Sequence, residues 1–218
     1  MIETLARHRW FARQAPSLRA ALAAAARHRR LAAGQWVYGE GDETTGLVLI
    51  LHGLLRLEAS VGARHNVLVG VARAGSALGQ AQRQGGGPRI VTARAGPASE
   101  VVTIADAALD HIGATVPQLW RAVSELVYVQ LDASVHGLAQ MLALPPRARI
   151  AARLLPFADD GVAPLTQADL AEMCGLSRKA THAHLIAIEA AGAIRRGYGA
   201  VHIRDASRLA WIAEAGGQ

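Results

Sequence analysis

LTQADLAEMCGLSRKATHAHLIAIEAAGAIRRGYGAVHI, residues 165–203, carries the signals of two capped helices followed by a pair of short strands. Thr166 is placed to cap a helix, and Asp169 three positions on completes a box in which each side chain satisfies a free N–H of the other residue. Leu170 and Met173 give that helix its apolar face. Gly175, in Cys174-Gly175-Leu176, supplies the positive φ that a sharply ended helix needs. Ser177 caps a second helix, in which Thr181, Leu185 and Ile188 fall on one inward face at steps of four and three. Arg178, Lys179, His182 and Ala183 are left outward near its start. Ile194-Arg195-Arg196, a Gly197-Tyr198-Gly199 turn and Ala200 to Ile203 follow as two short strands, a wing.

Helix, glycine turn, and a second helix with basic residues in its first turns is the arrangement that places side chains in a DNA major groove. Arg178 is the expected base reader, because its planar fork donates two hydrogen bonds to a guanine edge. Thr166, Gln167, Ser177, Lys179, Thr181 and His182 are expected to hold phosphate or make secondary base contacts, and Arg195 and Arg196 to meet the flanking backbone from the wing.

Working outward, Tyr128, Leu131, Val135, Leu138 and Leu142 recur at alternating three- and four-residue steps within a helix expected from Pro117 to about Leu144. That spacing draws the seam of a coiled coil, and we expect it to dimerise the chain. Pro145-Pro146 ends the helix. Upstream, from Gly34, short apolar runs (36–38, 47–51, 54–57, 67–71, 90–93 and 101–104) are separated by Gly, Asp and Ser turn signals, which predicts a small β-roll. Gln80 to Pro88, ending Gly85-Gly86-Gly87-Pro88, reads as a loop, and the first thirty-odd residues read as helices behind Pro16-Ser17. The expected class is α+β, with a jelly-roll-like sensor domain at 1–116, a dimerisation helix at 117–144 and a winged helix-turn-helix at 145–218.

Composition narrows the function classes. The net charge is +6, but it is uneven: residues 1–30 carry seven Arg against Glu3, while Arg178, Lys179, Arg195, Arg196 and Arg204 face only Glu189 within 177–204. Cys174 is the single cysteine, which excludes an intramolecular disulfide and a cysteine-rich metal or iron–sulfur site within one chain. His52, His65 and His111 show no ligand spacing, so no metal and no catalytic centre is expected. No apolar run is long enough to span a bilayer. The Arg-, Ala- and His-rich start lacks the serine-rich character of a transit peptide, and a cytoplasmic location is expected.

The chain resembles the Crp/Fnr family of bacterial transcription regulators. The resemblance is carried by GQWVYGEGD (34–42), GLVLILHGLLRL (46–57), Gly75 to Gly79, PRIVTARAG (88–96) and Leu165 to Gly199, most specifically LTQADLAEMCGLSR (165–178), and it spans essentially the whole length. It implies a cyclic-nucleotide-binding-type β-roll, a central dimerisation helix and a DNA-binding C-terminal domain. A homodimer acting on double-stranded DNA with RNA polymerase as partner is the implied assembly. The chain departs from the pattern at Lys179 and Ala183, where the family commonly has an acidic or Gln residue and a second Arg, and at Ile186, where a basic phosphate contact is expected. The pair that positions the ribose hydroxyl and the pair that binds the cyclic phosphate correspond to Gly79-Gln80 and Arg89-Ile90, which lack the carboxylate and the serine hydroxyl. A cyclic nucleotide is therefore disfavoured as effector, and no cofactor is firmly implied. Two other readings compete: a cupin-like metal enzyme, which would need His and Glu gathered on facing strands, and a β-roll binding module that no longer engages DNA, given Ala183 and Ile186.

Overall fold

A computed structural model describes residues 1–6, 8–43, 46–62, 65–80 and 87–214, Gln80 by its backbone alone. Most of the loop expected at 80–88 lies outside the described residues. The chain forms two compact units, Met1–Asp132 and Ala133–Gln218.

The first unit opens with helices α1 (Ile2–Ala6), α2 (Arg9–Ala12) and α3 (Pro16–Ala25). Among the described residues eight strands follow: β1 (Arg27–Leu31), β2 (Trp36–Tyr38), β3 (Gly46–His52), β4 (Leu54–Val61), β5 (His65–Arg73), β6 (Ala77–Gln80), β7 (Thr92–Ala95) and β8 (Ser99–Ile104). They make two antiparallel sheets in the orders β1-β8-β3-β6 and β2-β7-β4-β5. Strand β3 is apolar from Gly46 to Leu51 because both of its faces are covered there. Val48 and Ile50 join Leu55, Ala93 and Val101 in the core between the sheets. Leu47 and Leu49 face the other way, packing with Phe11, Leu22 and Ile104 beneath the helices. Helix α4 (Asp106–Thr115) and the first turns of α5 (Gln118–Ala143) close that helical side through Leu109, Leu119 and Val123.

Three expectations about this unit are corrected. The helical reading of the first thirty-odd residues fails at Arg27–Leu31, which is an edge strand paired with β8 in the register Arg27↔Thr103 to Leu31↔Ser99. Only Leu31 of that strand is buried, so no apolar alternation announces it; a partner some seventy residues away imposes it. The strand expected at Ile90–Ala93 is shifted to Thr92–Ala95. Backbone hydrogen bonds from Gly41 N–H to Arg89 O (2.7 Å) and from Arg89 N–H to Asp42 O (3.0 Å) hold the preceding residues irregular, and Ile90 is exposed. Gln80 belongs to β6, opposite Gly46, rather than to the following loop.

In the second unit, α6 (Pro146–Leu154) starts where its proline needs no N–H donor. Then come β9 (Val162–Ala163), α7 (Gln167–Cys174), α8 (Arg178–Ala190), β10 (Ile194–Arg196), β11 (Val201–Ile203) and α9 (Ala206–Glu214). The three short strands form one antiparallel sheet, β10-β11-β9. Two arginines of α6 tie the unit together. Arg149 donates from Nη1 to the Cys174 carbonyl (2.6 Å) and from Nη2 to the Leu144 carbonyl (3.0 Å), and Arg153 donates to Gly137 O (3.3 Å). Arg149 thus satisfies carbonyls at the ends of α5 and α7, and Arg153 one farther inside α5. Arg149→Met is expected to lower the unfolding free energy of the second unit by about 2–3 kcal/mol, for two charge-assisted bonds lost from half-buried carbonyls, and with it the urea midpoint. An unchanged midpoint would show that water replaces the guanidinium without loss. Cys174 is buried beside these arginines, and desolvation pushes its thiol up to about 11 despite the opposing pull of Arg153 and Arg149, so it stays a protonated packing group at neutral pH.

Candidate nucleic-acid interface

Helix α7 begins with a capping box: Thr166 Oγ1 accepts from the Asp169 N–H (3.1 Å), and Asp169 Oδ2 accepts from the Thr166 N–H (2.8 Å). It ends at Gly175, whose φ of 62° is the left-handed conformation that any Cβ would oppose. Met173 and Cys174 are buried and pull the helix onto the core just before that turn. Ser177 then caps α8, its Oγ accepting from the Ala180 N–H at 3.1 Å. In both caps the hydroxyl serves as an acceptor, so its own proton remains available to a phosphate oxygen.

Thr181, Leu185 and Ile188 are fully buried and fix the rotation of α8. The expectation that Thr181 touches DNA is overturned: its Oγ1 donates to the Ser177 carbonyl at 3.1 Å inside the protein. The step of four that sets Leu185 on the core also sets Thr181 there. Arg178 and Lys179 are exposed in the first turn of the helix. His182 is exposed one turn later, with Nδ1 3.2 Å from Gln167 Oε1. Because that oxygen only accepts, Nδ1 is the donor, and the pair links the first turn of α7 to α8.

In the wing, β10 and β11 pair Ile194↔Ile203 through Arg196↔Val201 around a turn whose Gly199 has φ 68°. Tyr198 stands fully exposed at its tip. The two wing arginines separate. Arg195 faces solvent, whereas Arg196 donates its backbone N–H (2.8 Å) and its Nε (2.5 Å) to the Glu189 carboxylate at the end of α8. Those two bonds hold the Glu189 carboxyl below the usual carboxylate range. The Nε of Arg196 thereby anchors wing to helix. Glu189 is the residue that sequence reasoning missed; its only signal was its opposite charge seven positions before Arg196. Thr166, Gln167 and the wing turn border one cleft of about 380 Å³.

In the first unit the residues aligned with an effector pocket lie on β6 and just before β7. Gly79 pairs with Leu47 and Gln80 with Gly46, and Ile90 is largely exposed. Arg89, expected to attract a phosphate, is buried at 6% exposure. Its Nη2 donates to the Gly46 carbonyl (3.0 Å), and its guanidinium lies 4.0 Å from the centre of the Tyr38 ring. Burial lowers its pKa, opposed by Tyr38, Asp106 and Asp42. Among the described residues, no three His, Cys, Asp or Glu side chains are gathered in a way that could hold a metal ion. No helix among them is long and apolar enough to cross a membrane.

Two family models match the chain: a cyclic nucleotide-binding domain over residues 28–115 and a Crp-like helix-turn-helix domain over residues 148–212. No curated protein matches. The fold is similar to that of FixK2 from Bradyrhizobium japonicum, with a TM-score of 0.76 and 16% identity over 86% of this chain and 96% of that one. It is also similar to TTHA1359, a transcriptional regulator of the CRP/FNR family from Thermus thermophilus (TM-score 0.69, 22% identity, 88% of this chain and 100% of that one). A third likeness is to the c-di-GMP responsive global regulator CLP of Xanthomonas campestris (TM-score 0.66, 16% identity, 87% and 99%). At these identities the likeness is one of fold. With a cyclic nucleotide-binding domain and a Crp-like helix-turn-helix in that order, together matching well over half of its length, the chain belongs to the Crp/Fnr family of transcription regulators.

Proposed function

We propose that this regulator is a homodimer that binds double-stranded DNA sequence-specifically in the cytoplasm. In this reading a sensor domain at 1–116 and a DNA-binding domain at 145–218 are joined by a dimerisation helix at 117–144. The observation that carries the DNA reading is the first turn of α8, where Arg178 and Lys179 are exposed at the end of a helix whose opposite face is locked into the core. Arg178 reads a base edge, and the hydroxyls of Thr166 and Ser177, with Gln167, Lys179, His182 and Arg195, supply donors to phosphates and neighbouring bases. Dimerisation is supported by Tyr128, Leu131, Val135, Leu138 and Leu142, which form one stripe on α5 and are 56–80% exposed in the single chain. Such a stripe left in water is unfavourable, and a second copy covers it symmetrically. No catalytic step is assigned; RNA polymerase is the proposed protein partner, in keeping with the family resemblance.

Selection from random duplexes, followed by titration of the recovered site at several salt concentrations, tests the reading. The logarithm of the binding constant should fall linearly with the logarithm of salt, by about 0.9 for each phosphate neutralised. Failure to enrich any sequence would leave the non-DNA binding module as the better reading.

The same proposal assigns no conventional cyclic nucleotide to the roll, because Arg89 is engaged by Gly46 and Tyr38. Cyclic AMP and cyclic GMP in millimolar excess are expected to leave both the thermal midpoint and DNA affinity unchanged. A ligand held at a hundred times its Kd adds about 2.7 kcal/mol to folded-state stability. A rise of several degrees in the midpoint would therefore reverse this part of the proposal.

A further inference from the structure

Opposite the buried face of α8, and following the same steps of four and three, lie Lys179, Ala183 and Ile186. Lys179 and Ala183 are exposed, and Ile186 leaves 45% of its surface open. The stripe changes chemistry along its length, from cationic in the first turn to aliphatic in the second and third. An exposed helix face ordinarily carries polar residues at such positions. On a DNA-facing surface a lysine or arginine there would add phosphate attraction without disturbing the core.

We propose that Ala183 and Ile186 read the 5-methyl groups of thymines in the major groove, the inference resting on the DNA reading of α8. The charges around the stripe choose the occupant. Arg178 and Lys179 head it, and Arg195 is exposed on the wing of the same unit. An apolar protein partner would have to desolvate those cations, whereas a duplex pairs them with phosphates. Within the major groove, the thymine methyl is the apolar group that a base edge presents, and small aliphatic side chains are its complement. The departures of this helix from the family pattern thus acquire one meaning: a site read by polar donors at its leading end and by methyl contact behind it.

The test uses the full-length protein and the sequence recovered from a random duplex library. Each thymine of that site is replaced singly by deoxyuridine, which keeps the hydrogen-bonding edge and removes only the methyl, and affinities are compared at one salt concentration. At least one position per half-site should lose about three- to fivefold, the worth of one buried methyl group. Ile186→Ala or Ala183→Gly should shrink that loss to within about twofold, while Lys179→Ala weakens both duplexes alike. Specific binding that ignores the removal of every methyl would overturn the inference and leave the DNA reading standing. Absence of any sequence-specific binding would defeat both. If Ile186→Ala changed the mass of the free protein and left the deoxyuridine loss intact, the stripe would be a protein contact and the proposal wrong.

Discussion

Arg178→Ala is expected to yield a folded protein that still binds DNA but no longer prefers its selected site. Arg178 is exposed in the first turn of α8, ahead of Thr181, Leu185 and Ile188, so truncating it disturbs no packing. The Ser177 cap also remains, since it depends on the Ala180 N–H. What is lost is a bidentate contact of about 1–3 kcal/mol. A two-fold dimer loses it in both half-sites, about 2–6 kcal/mol together, or roughly thirty- to twenty-thousandfold in specific affinity. Affinity for an unrelated duplex should fall far less, because phosphate attraction is shared among many cations. Competition between the selected duplex and a scrambled one measures the ratio directly. A variant that kept the parental ratio would remove Arg178 from the base-reading role, and Lys179 would be the next residue to test.

Leu131→Asp, or equally Leu138→Asp, should halve the mass in solution and weaken operator binding by about two to three orders of magnitude. Both leucines are more than half exposed in the single chain, so an aspartate there leaves the core of either unit intact. In a symmetric seam each substitution sets two carboxylates against the partner helix in an apolar contact, at a cost of several kcal/mol per unpaired buried charge. Monomers then bind half-sites independently and forfeit the effective concentration, of millimolar order, that links the second contact to the first. Sedimentation at micromolar protein separates the outcomes. An unchanged mass would place the dimer contact elsewhere and leave the α5 stripe without a partner.

The comparison of sequence with structure turns on how far away each decision is made. In the helix-turn-helix the caps at Thr166 and Ser177, the left-handed Gly175 and the inward Thr181, Leu185 and Ile188 were all legible, because each depends on residues within about four positions. The α5 helix was legible for the same reason, from Pro117 at one end to Pro145-Pro146 at the other. Most strands of the roll announced themselves by apolar runs between turns, but β1 did not, since Arg27-His28-Arg29-Arg30 is extended only through its pairing with β8. The candidate site was less legible than the fold that carries it. Thr181 reads both as an inward residue and as a DNA contact, and its burial leaves only the first, while Arg196 reads as a free cation until Glu189 takes its Nε.

Local hydrogen bonds and periodicity thus suffice for the order of domains, the helix-turn-helix with its wing, and the helix that carries the apolar stripe. Only the tertiary structure decided where the long polar side chains end. Arg89 could as well have faced a ligand; the Gly46 carbonyl and the Tyr38 ring, on strands remote in sequence, turn it inward. A flexible cation has many staggered conformers of similar energy, and the one it adopts is selected by partners that only folding brings within reach.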